Sequence, residues 1–351
     1  MNEFINSSCT ATFAITVTYG DRYCFLQQVV LSALANGVKK VIVVDNGSVD
    51  PSKQEIRKLE SDNEGRVVVV ALPANLGSAA GFKAGLEYAA TCRDCEYLWL
   101  LDDDNRPGEG ALAELFYHYA KLCELVPLNR LGLVSRRSNW QEHKNVAQGV
   151  PVAKVYPRKS SFMGFHLLNP PRKLAEWFNG SRLNGEQRVM DGPIKIPFGP
   201  YGGLFFHKTV LSHLGYPNED FFLYNDDTEY TSRLIKSGGS LFLVPSSVVH
   251  DLQPSWHVLN KGETFFSHLL TVDSDSRIYY ATRNQSYIET HLRMRSLIAY
   301  ALNKWAFFTF LSLSALRHKK WNRVALISRA VRRGKAGELG RSEELGSTAK
   351  S

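Results

Sequence analysis

A chain of 351 residues with 44% hydrophobic and 22% charged residues can bury a substantial core, and its composition is ordinary for a folded soluble protein. Five cysteines (Cys9, Cys24, Cys92, Cys95, Cys123) exclude a disulfide-stapled scaffold, and the single C-x-x-C of Cys92 and Cys95 has no second pair at zinc spacing. The net charge of +8 is concentrated: eleven Lys/Arg and no Asp/Glu lie between His291 and Lys335, so the rest of the chain is weakly acidic.

In chain order, Phe13–Thr18 reads as a first strand, and Tyr23–Asn36 carries apolar residues at helical spacing with Gly37 as its stop. Val41–Val44 is a second buried strand ending at Asp45. A short helix (Gln54–Leu59), a third strand (Val67–Leu72) and a helix (Gly77–Ala90) follow. The run Tyr97–Leu101 predicts a strand covered on both faces. A helix from about Glu109 to Glu124 and a strand near Leu131–Ser135 come next. Strands alternating with helices predict an α/β fold with a mostly parallel central sheet and helices on both faces. Residues from Trp140 to Pro197 are irregular, with a short hairpin and a loop expected. Order returns with the glycine-rich turn and strand Phe198–Phe206, a helix beginning near Asp226 and a strand Ser240–Val244. The expected organisation is one α/β domain over residues 1–255, a basic helical region over 256–335 and a disordered tail over 336–351.

The most informative residues are Asp102, Asp103 and Asp104, which follow the apolar run directly. Adjacent anions repel, and a buried anion is costly unless paired. In an extended segment Asp102 and Asp104 point the same way and can share one hard, oxygen-seeking cation such as Mg²⁺ or Mn²⁺. The bland alternative is an acidic turn capping the next helix. In open α/β sheets ligands bind at the carboxyl ends of the strands. There stand Thr18 and Tyr19 after the first strand, Asp45 and Asn46 after the second, Asn75 and Gly77 after the third, and the three aspartates after the fourth. The glycines at 77, 81 and 85 open a helix whose backbone amides could approach a ligand, but they match neither dinucleotide nor P-loop spacing.

A second acidic group, Asp226, Asp227 and Glu229, sits at a helix start. One acid suffices for a cap, and Glu229 with Arg233 has the spacing of a surface ion pair. A carboxylate on a rigid helix start is also what a general base requires, and either Asp226 or Asp227 could serve. His250 follows a strand and is a candidate third metal ligand. Arg277 and Arg283 flank two tyrosines, a pattern that suits either phosphate binding or a basic helix face.

These motifs, in this order and spacing, resemble the family 2 glycosyltransferases over roughly residues 12–285. The supports are Val43–Ser48, Asn75–Phe82, Leu101–Asp104, Asp226–Glu229 and Arg277–Asn284. Within the family the chain looks closest to bacterial galactofuranosyl- and rhamnosyltransferases. The resemblance implies the GT-A fold and an inverting, metal-dependent transfer of a sugar, galactofuranose or rhamnose, from a UDP- or dTDP-linked donor. The acceptor would be a glycan or lipid-linked glycan of a bacterial surface polysaccharide. It implies that Thr18, Asp45 and Asn75 hold the nucleoside, beside Tyr19, Asn46 and Gly77. Asp102, Asp104 and His250 would hold Mn²⁺ or Mg²⁺, Asp103 would lie near the donor sugar, Arg277 or Arg283 would assist the leaving diphosphate, and Asp227 or Asp226 would be the base. Two rivals are a nucleotidyltransferase and a catalytically silent nucleotide-sugar or glycan-binding protein. The first would want a basic glycine-rich loop after the first strand, which Thr18–Arg22 represents poorly.

Near the C-terminus Ser296–Leu316 is apolar except for Asn303, Lys304 and several serines. A central lysine argues against spanning a bilayer. The segment is expected either to be buried or to lie, with its basic flanks, on an anionic membrane surface. No nucleic-acid module is evident, so a nucleic-acid partner is not expected. The N-terminus lacks a basic n-region, and Ala11–Val17 is short for a signal peptide or a span, so the expected location is cytoplasmic, with peripheral contact at the inner face of the membrane.

Overall fold

The structure is a computed structural model that describes residues 11–169, 190–253, 265–272 and 274–342. The chain divides into two compact units, residues 1–152, 189–222 and 226–254 forming the first and residues 153–188, 223–225 and 255–351 the second.

The first unit opens with β1 (Thr12–Gly20), α1 (Tyr23–Ala35), β2 (Lys40–Ser48), α2 (Ser52–Asp62), β3 (Val67–Ala71), α3 (Ser78–Thr91) and β4 (Tyr97–Asp102). It continues through β5 (Asn105–Pro107), α4 (Ala111–Leu122), β6 (Leu131–Arg137), α5 (Gln141–Ala147), β7 (Ile194–Ile196), β8 (Leu204–His207), α6 (Thr209–Leu214), α7 (Asp226–Lys236) and β9 (Ser240–Asp251). Among the described residues these strands form one sheet in the order β3-β2-β1-β4-β8-β6-β9-β5, with β7 also pairing β9. The first four strands run parallel, as their alternation with helices requires. β8 then inserts antiparallel between β4 and β6, and β6 pairs β9 in parallel. The antiparallel insertion was not legible beforehand, because β8 reaches β4 only after the long segment from Trp140 to Pro197.

Strand alternation distributes the core. Ala14, Val43, Trp99 and Leu101 face one side with Leu26, Val30, Ile56, Leu115 and Phe116 of α1, α2 and α4. On the other side α3 lies so close that a Cβ at Gly81 would stand 2.5 Å from Val17, and one at Gly85 2.5 Å from Ile15. Hence helices cover both faces, as expected. Cys92 and Cys95 are free thiols whose sulfurs reach the carbonyls of Tyr88 and Tyr97, and burial pushes the Cys95 thiol up to about 12. Cys9 lies outside the described residues.

The second unit is helical: α8 (Phe265–Thr271), α9 (Asp275–Ile288), α10 (Leu297–His318) and α11 (Trp321–Ala336). Ser274 and Ser296 cap α9 and α10 by accepting the amides of Arg277 and Ala299. Its core gathers Phe162, Leu270, Ile278, Phe307, Leu311, Ile327 and Val331. The hairpin expected within the irregular region is a Phe162–Phe165 bridge. Asn303, the polar break in the apolar segment, fastens it by donating to the Ser160 carbonyl at 2.8 Å and accepting the Leu167 amide at 2.9 Å. Of the expected disordered tail, residues 337–342 lie against α9: Ser342 donates its amide to the Tyr280 hydroxyl at 2.9 Å, and Arg283 donates to the Gly340 carbonyl. Residues 343–351 lie outside the described residues.

Glu289 begins a π-helical turn (Glu289–Arg293) that continues α9. Its buried carboxylate accepts the amides of Met163 and Gly164 at 3.0 and 3.2 Å and Gln285 Nε2 at 2.9 Å. Burial still pushes it up to about 7. A raised carboxyl takes up a proton on folding between its unfolded and folded pKa values, so this contribution is fully present at low pH and is lost as pH rises towards 7. The change is on the order of 3 kcal/mol. Glu289→Gln is therefore expected to flatten the fall in thermal stability between pH 5 and pH 8, at a constant cost from one lost acceptor. Parallel pH profiles for wild type and variant would contradict the assignment.

Candidate active site

The parallel register sets Thr18 beside Asp45, and Val17 beside Asp102, so the polar ends of β1, β2 and β4 lie at one level of the sheet. The end of β2 and the loop after β3 are laced together. Asn46 accepts the Leu76 amide at 2.8 Å and donates to the Gly77 carbonyl at 3.0 Å, while Asn75 accepts the Gly77 amide at 3.0 Å. Asp45 is buried and accepts the Ser48 amide at 2.7 Å. Tyr19 is exposed, with the Arg22 guanidinium 5.3 Å from its ring centre.

At the end of β4 the three aspartates separate into different surroundings. Asp103 is buried and fully engaged: Arg22 grips both its oxygens at 2.8 and 2.7 Å, and Thr18 donates its hydroxyl at 2.9 Å. Burial nevertheless outweighs the Arg22 charge and holds its pKa above the ordinary range. Asp104 accepts Arg22 Nη2 at 3.1 Å and Asn105 Nδ2 at 3.1 Å. Among the described residues Asp102 has only Arg137, at 3.5 Å, and its side chain keeps 34% of its exposure. Burial, with the charges of Asp104, Asp227 and Asp103 acting against Arg137, pushes it up to about 7.

The glycine-rich turn before β8 closes on this group. A Cβ at Gly202 would fall 1.9 Å from Asn105 Oδ1 and 2.7 Å from Asp102 Oδ2, so only glycine fits. Asn105 Oδ1 is buried and has no hydrogen-bond partner. Two carboxylates and an unsatisfied amide oxygen form the donor set that a hard divalent cation takes. His250 does not join it. In β9 it pairs with Arg106, its ring nitrogen faces Gly108, and among the described residues no group of three His, Cys, Asp or Glu side chains stands at metal-binding distance. The next residue, Asp251, points to the cluster instead, because neighbours on a strand face opposite ways. It binds Arg137 through Nε at 2.7 Å and through Nη2, and accepts Asn105 Nδ2 at 3.1 Å.

The second acidic group divides as well. Asp226 is buried, accepts the Ser78 hydroxyl at 2.8 Å, and is pushed up to about 8 by burial and by Asp227. Asp227 is half-buried, accepts the Thr228 amide at 2.6 Å and is raised chiefly by burial. Glu229 forms the expected i, i+4 pair with Arg233 at 2.8 Å, its own carboxylate buried and the arginine half-buried. Arg233 also donates to the carbonyls of Leu214 and Tyr216, which ties α7 to the loop after α6.

Arg277 and Arg283 belong to the second unit. Arg277 is exposed in the first turn of α9, whereas Arg283 is buried, packs over the Tyr280 ring at 5.0 Å and serves that unit's interior. Sequence reasoning missed Arg22, Asn105, Arg137, Ser78 and Asp251. Arg22 closes the Thr18–Arg22 segment and Asp251 adjoins His250, but the pairing of Arg137 with Asp251 spans 114 positions and has no local signal.

Comparison with known proteins identifies the family. The model of Glycosyl transferase family 2 matches residues 13–213. The galactofuranosyltransferase GlfT1 of Mycobacterium tuberculosis is 22% identical over 322 residues, covering 88% of this chain and 91% of that protein. GlfT1 of Mycolicibacterium smegmatis is 22% identical over 299 residues, covering 83% and 87%. Among solved structures, GalNAc-T7 with UDP, GalNAc and Mn²⁺ aligns at a TM-score of 0.49 and 15% identity, over 84% of this chain and 53% of that one. TarS 1–349 of S. aureus aligns at 0.43 and 14%, over 93% and 92%. With a family model covering more than half of its length, the chain belongs to glycosyl transferase family 2 and is a glycosyltransferase of α/β, GT-A type.

Proposed function

We propose that this glycosyltransferase is an inverting, metal-dependent galactofuranosyltransferase that uses UDP-galactofuranose to extend a glycan or lipid-linked glycan of a bacterial surface polysaccharide. The observation that carries the mechanism is the meeting of two acidic groups on one sheet edge, where the charges of Asp104 and Asp227 both act on Asp102. The choice of sugar rests on similarity to the GlfT1 galactofuranosyltransferases. The rhamnosyl alternative, with dTDP-rhamnose, has no equivalent support.

Asp102 and Asp104, with the free oxygen of Asn105, would hold Mn²⁺ or Mg²⁺. A cation bound there supplies Lewis-acid stabilisation of the negative charge on the departing nucleoside diphosphate. The laced loops of Asp45, Asn46, Asn75 and Gly77 would seat the nucleoside, beside Thr18 and Tyr19. Arg22 fixes Asp103 towards the donor sugar, and the Asp251–Arg137 pair sets the position of Arg137 beside Asp102.

The surroundings of the two acids favour Asp227 as base. Burial and the neighbouring Asp227 push Asp226 up to about 8, which favours its protonated form and makes it the poorer base. Asp227 is partly accessible, and a carboxylate whose basicity is raised by burial is suited to removing the acceptor's hydroxyl proton as that oxygen attacks the anomeric carbon. One in-line displacement inverts the configuration and needs no covalent intermediate.

The activity is tested by incubating purified protein with UDP-galactofuranose or dTDP-rhamnose, Mn²⁺ and a galactan acceptor. Release of UDP coupled to acceptor extension is expected, and turnover of the rhamnosyl donor alone would overturn the sugar assignment. Asp227→Asn is expected to lower turnover by about 10²–10⁴-fold with UDP affinity unchanged, as for loss of a general base. Asp226→Asn is expected to stay within about tenfold of wild type, because it mimics the protonated acid already present. Equal losses would contradict the assignment of Asp227. Gly202→Ala is expected to displace Asn105 and Asp102, costing about 10²-fold or more in turnover. Its stability loss should be no more than about 1–3 kcal/mol. Near-normal turnover in that variant would argue against this metal site.

A further inference from the structure

Helix α10 has two unlike faces. Tyr300, Asn303, Phe307, Leu311 and Ala315 recur at helical spacing and are buried in the core of the second unit. Ile298, Leu302, Trp305, Leu313 and Leu316 share another face and are exposed, Ile298 at 75% and Trp305 at 72%. The bare stripe runs the length of a 22-residue helix, and Trp321 at the start of α11 is exposed too. Soluble surfaces seldom show a continuous apolar stripe of this extent unless something covers it.

The surrounding charge indicates what covers it. Arg295 precedes the stripe and Arg317, Lys319 and Lys320 follow it, all exposed, and no Asp or Glu occurs between His291 and Lys335. We propose that this face of α10 lies in the plane of an anionic lipid surface, its apolar side chains among the acyl chains and its terminal cations on the headgroups. By length and composition the helix could cross a membrane, but crossing would strip Phe307 and Leu311 from their core and break the Asn303 bonds to Ser160 and Leu167. Antiparallel pairing with a second copy would bring Arg295 of one chain to Arg317, Lys319 and Lys320 of the other with no acid between them, which like-charge repulsion opposes. The surface is carried by the second unit, so the inference does not depend on the donor-site reading.

The full chain is tested by co-sedimentation with vesicles of phosphatidylcholine alone or mixed with phosphatidylglycerol. Binding at least tenfold stronger to the anionic vesicles is expected, weakening as salt is raised. A Leu302→Ser, Trp305→Ser, Leu313→Ser variant changes exposed residues only. It should keep its melting temperature and lose at least tenfold in binding, and Arg317→Gln, Lys319→Gln, Lys320→Gln should abolish the anionic preference. Four results would overturn the proposal: no binding to anionic vesicles, equal binding by the serine variant, resistance to alkaline extraction, or a dimer in sedimentation velocity that the serine variant abolishes without any vesicle binding.

Discussion

Among the described residues, the acidic end of the first unit's sheet is short of positive charge. Five aspartates gather at one edge of the sheet, three at the end of β4 and two at the start of α7, and Arg22 and Arg137 are the arginines that meet them. Arg22 is committed to Asp103 and Asp104, and Arg137 mainly to Asp251. Asp102 is therefore left with one ion pair at 3.5 Å among like charges, and its carboxyl is pushed up to about 7. Such an arrangement is unfavourable for stability by itself, since buried anions lose hydration that partners must replace. Under the proposed function a doubly charged cation and a phosphate-bearing ligand would complete it, and donor binding would then be linked to local order.

Other features serve that edge. The register of β1 with β2 and β4 brings Thr18, Asp45 and Asp102 to one level although they lie far apart in the chain. The glycine at 202 lets the turn before β8 approach Asn105 and Asp102 more closely than any side chain would allow. Asp251 receives Arg137 and Asn105 at once, so a residue outside the expected ligand set fixes the direction of two neighbours that do touch the site.

Much of this was legible in the residues. The buried run Tyr97–Leu101 followed by three acids announced both a covered strand and an acidic strand end, because apolar continuity and charge accumulation are local properties. The loops at Asp45 and Asn75 were placed at strand ends for the same reason. Contacts made across the sheet were not legible. Nothing near Arg137 indicates that it meets Asp251, and His250 was preferred to its neighbour although alternation along β9 turns Asp251 to the cluster. The Arg277–Arg283 pattern suits either phosphate binding or a helix face, and Arg283 is buried in the second unit with its guanidinium donating to a carbonyl. Asn303 looked like an interruption of an apolar helix, whereas it is the polar fastening for a hairpin more than a hundred residues earlier.

The measurement that tests the central claim most directly is thermal stabilisation of the purified protein by UDP with and without Mn²⁺. A ligand that binds only the folded state raises the melting temperature in proportion to its affinity. If the acidic edge is an incomplete cation and diphosphate site, UDP with Mn²⁺ raises the melting temperature well beyond the sum of their separate effects, and chelation reverses it. No shift, or a shift from UDP that is indifferent to the metal, would contradict the account and leave the aspartate cluster without a role in donor binding.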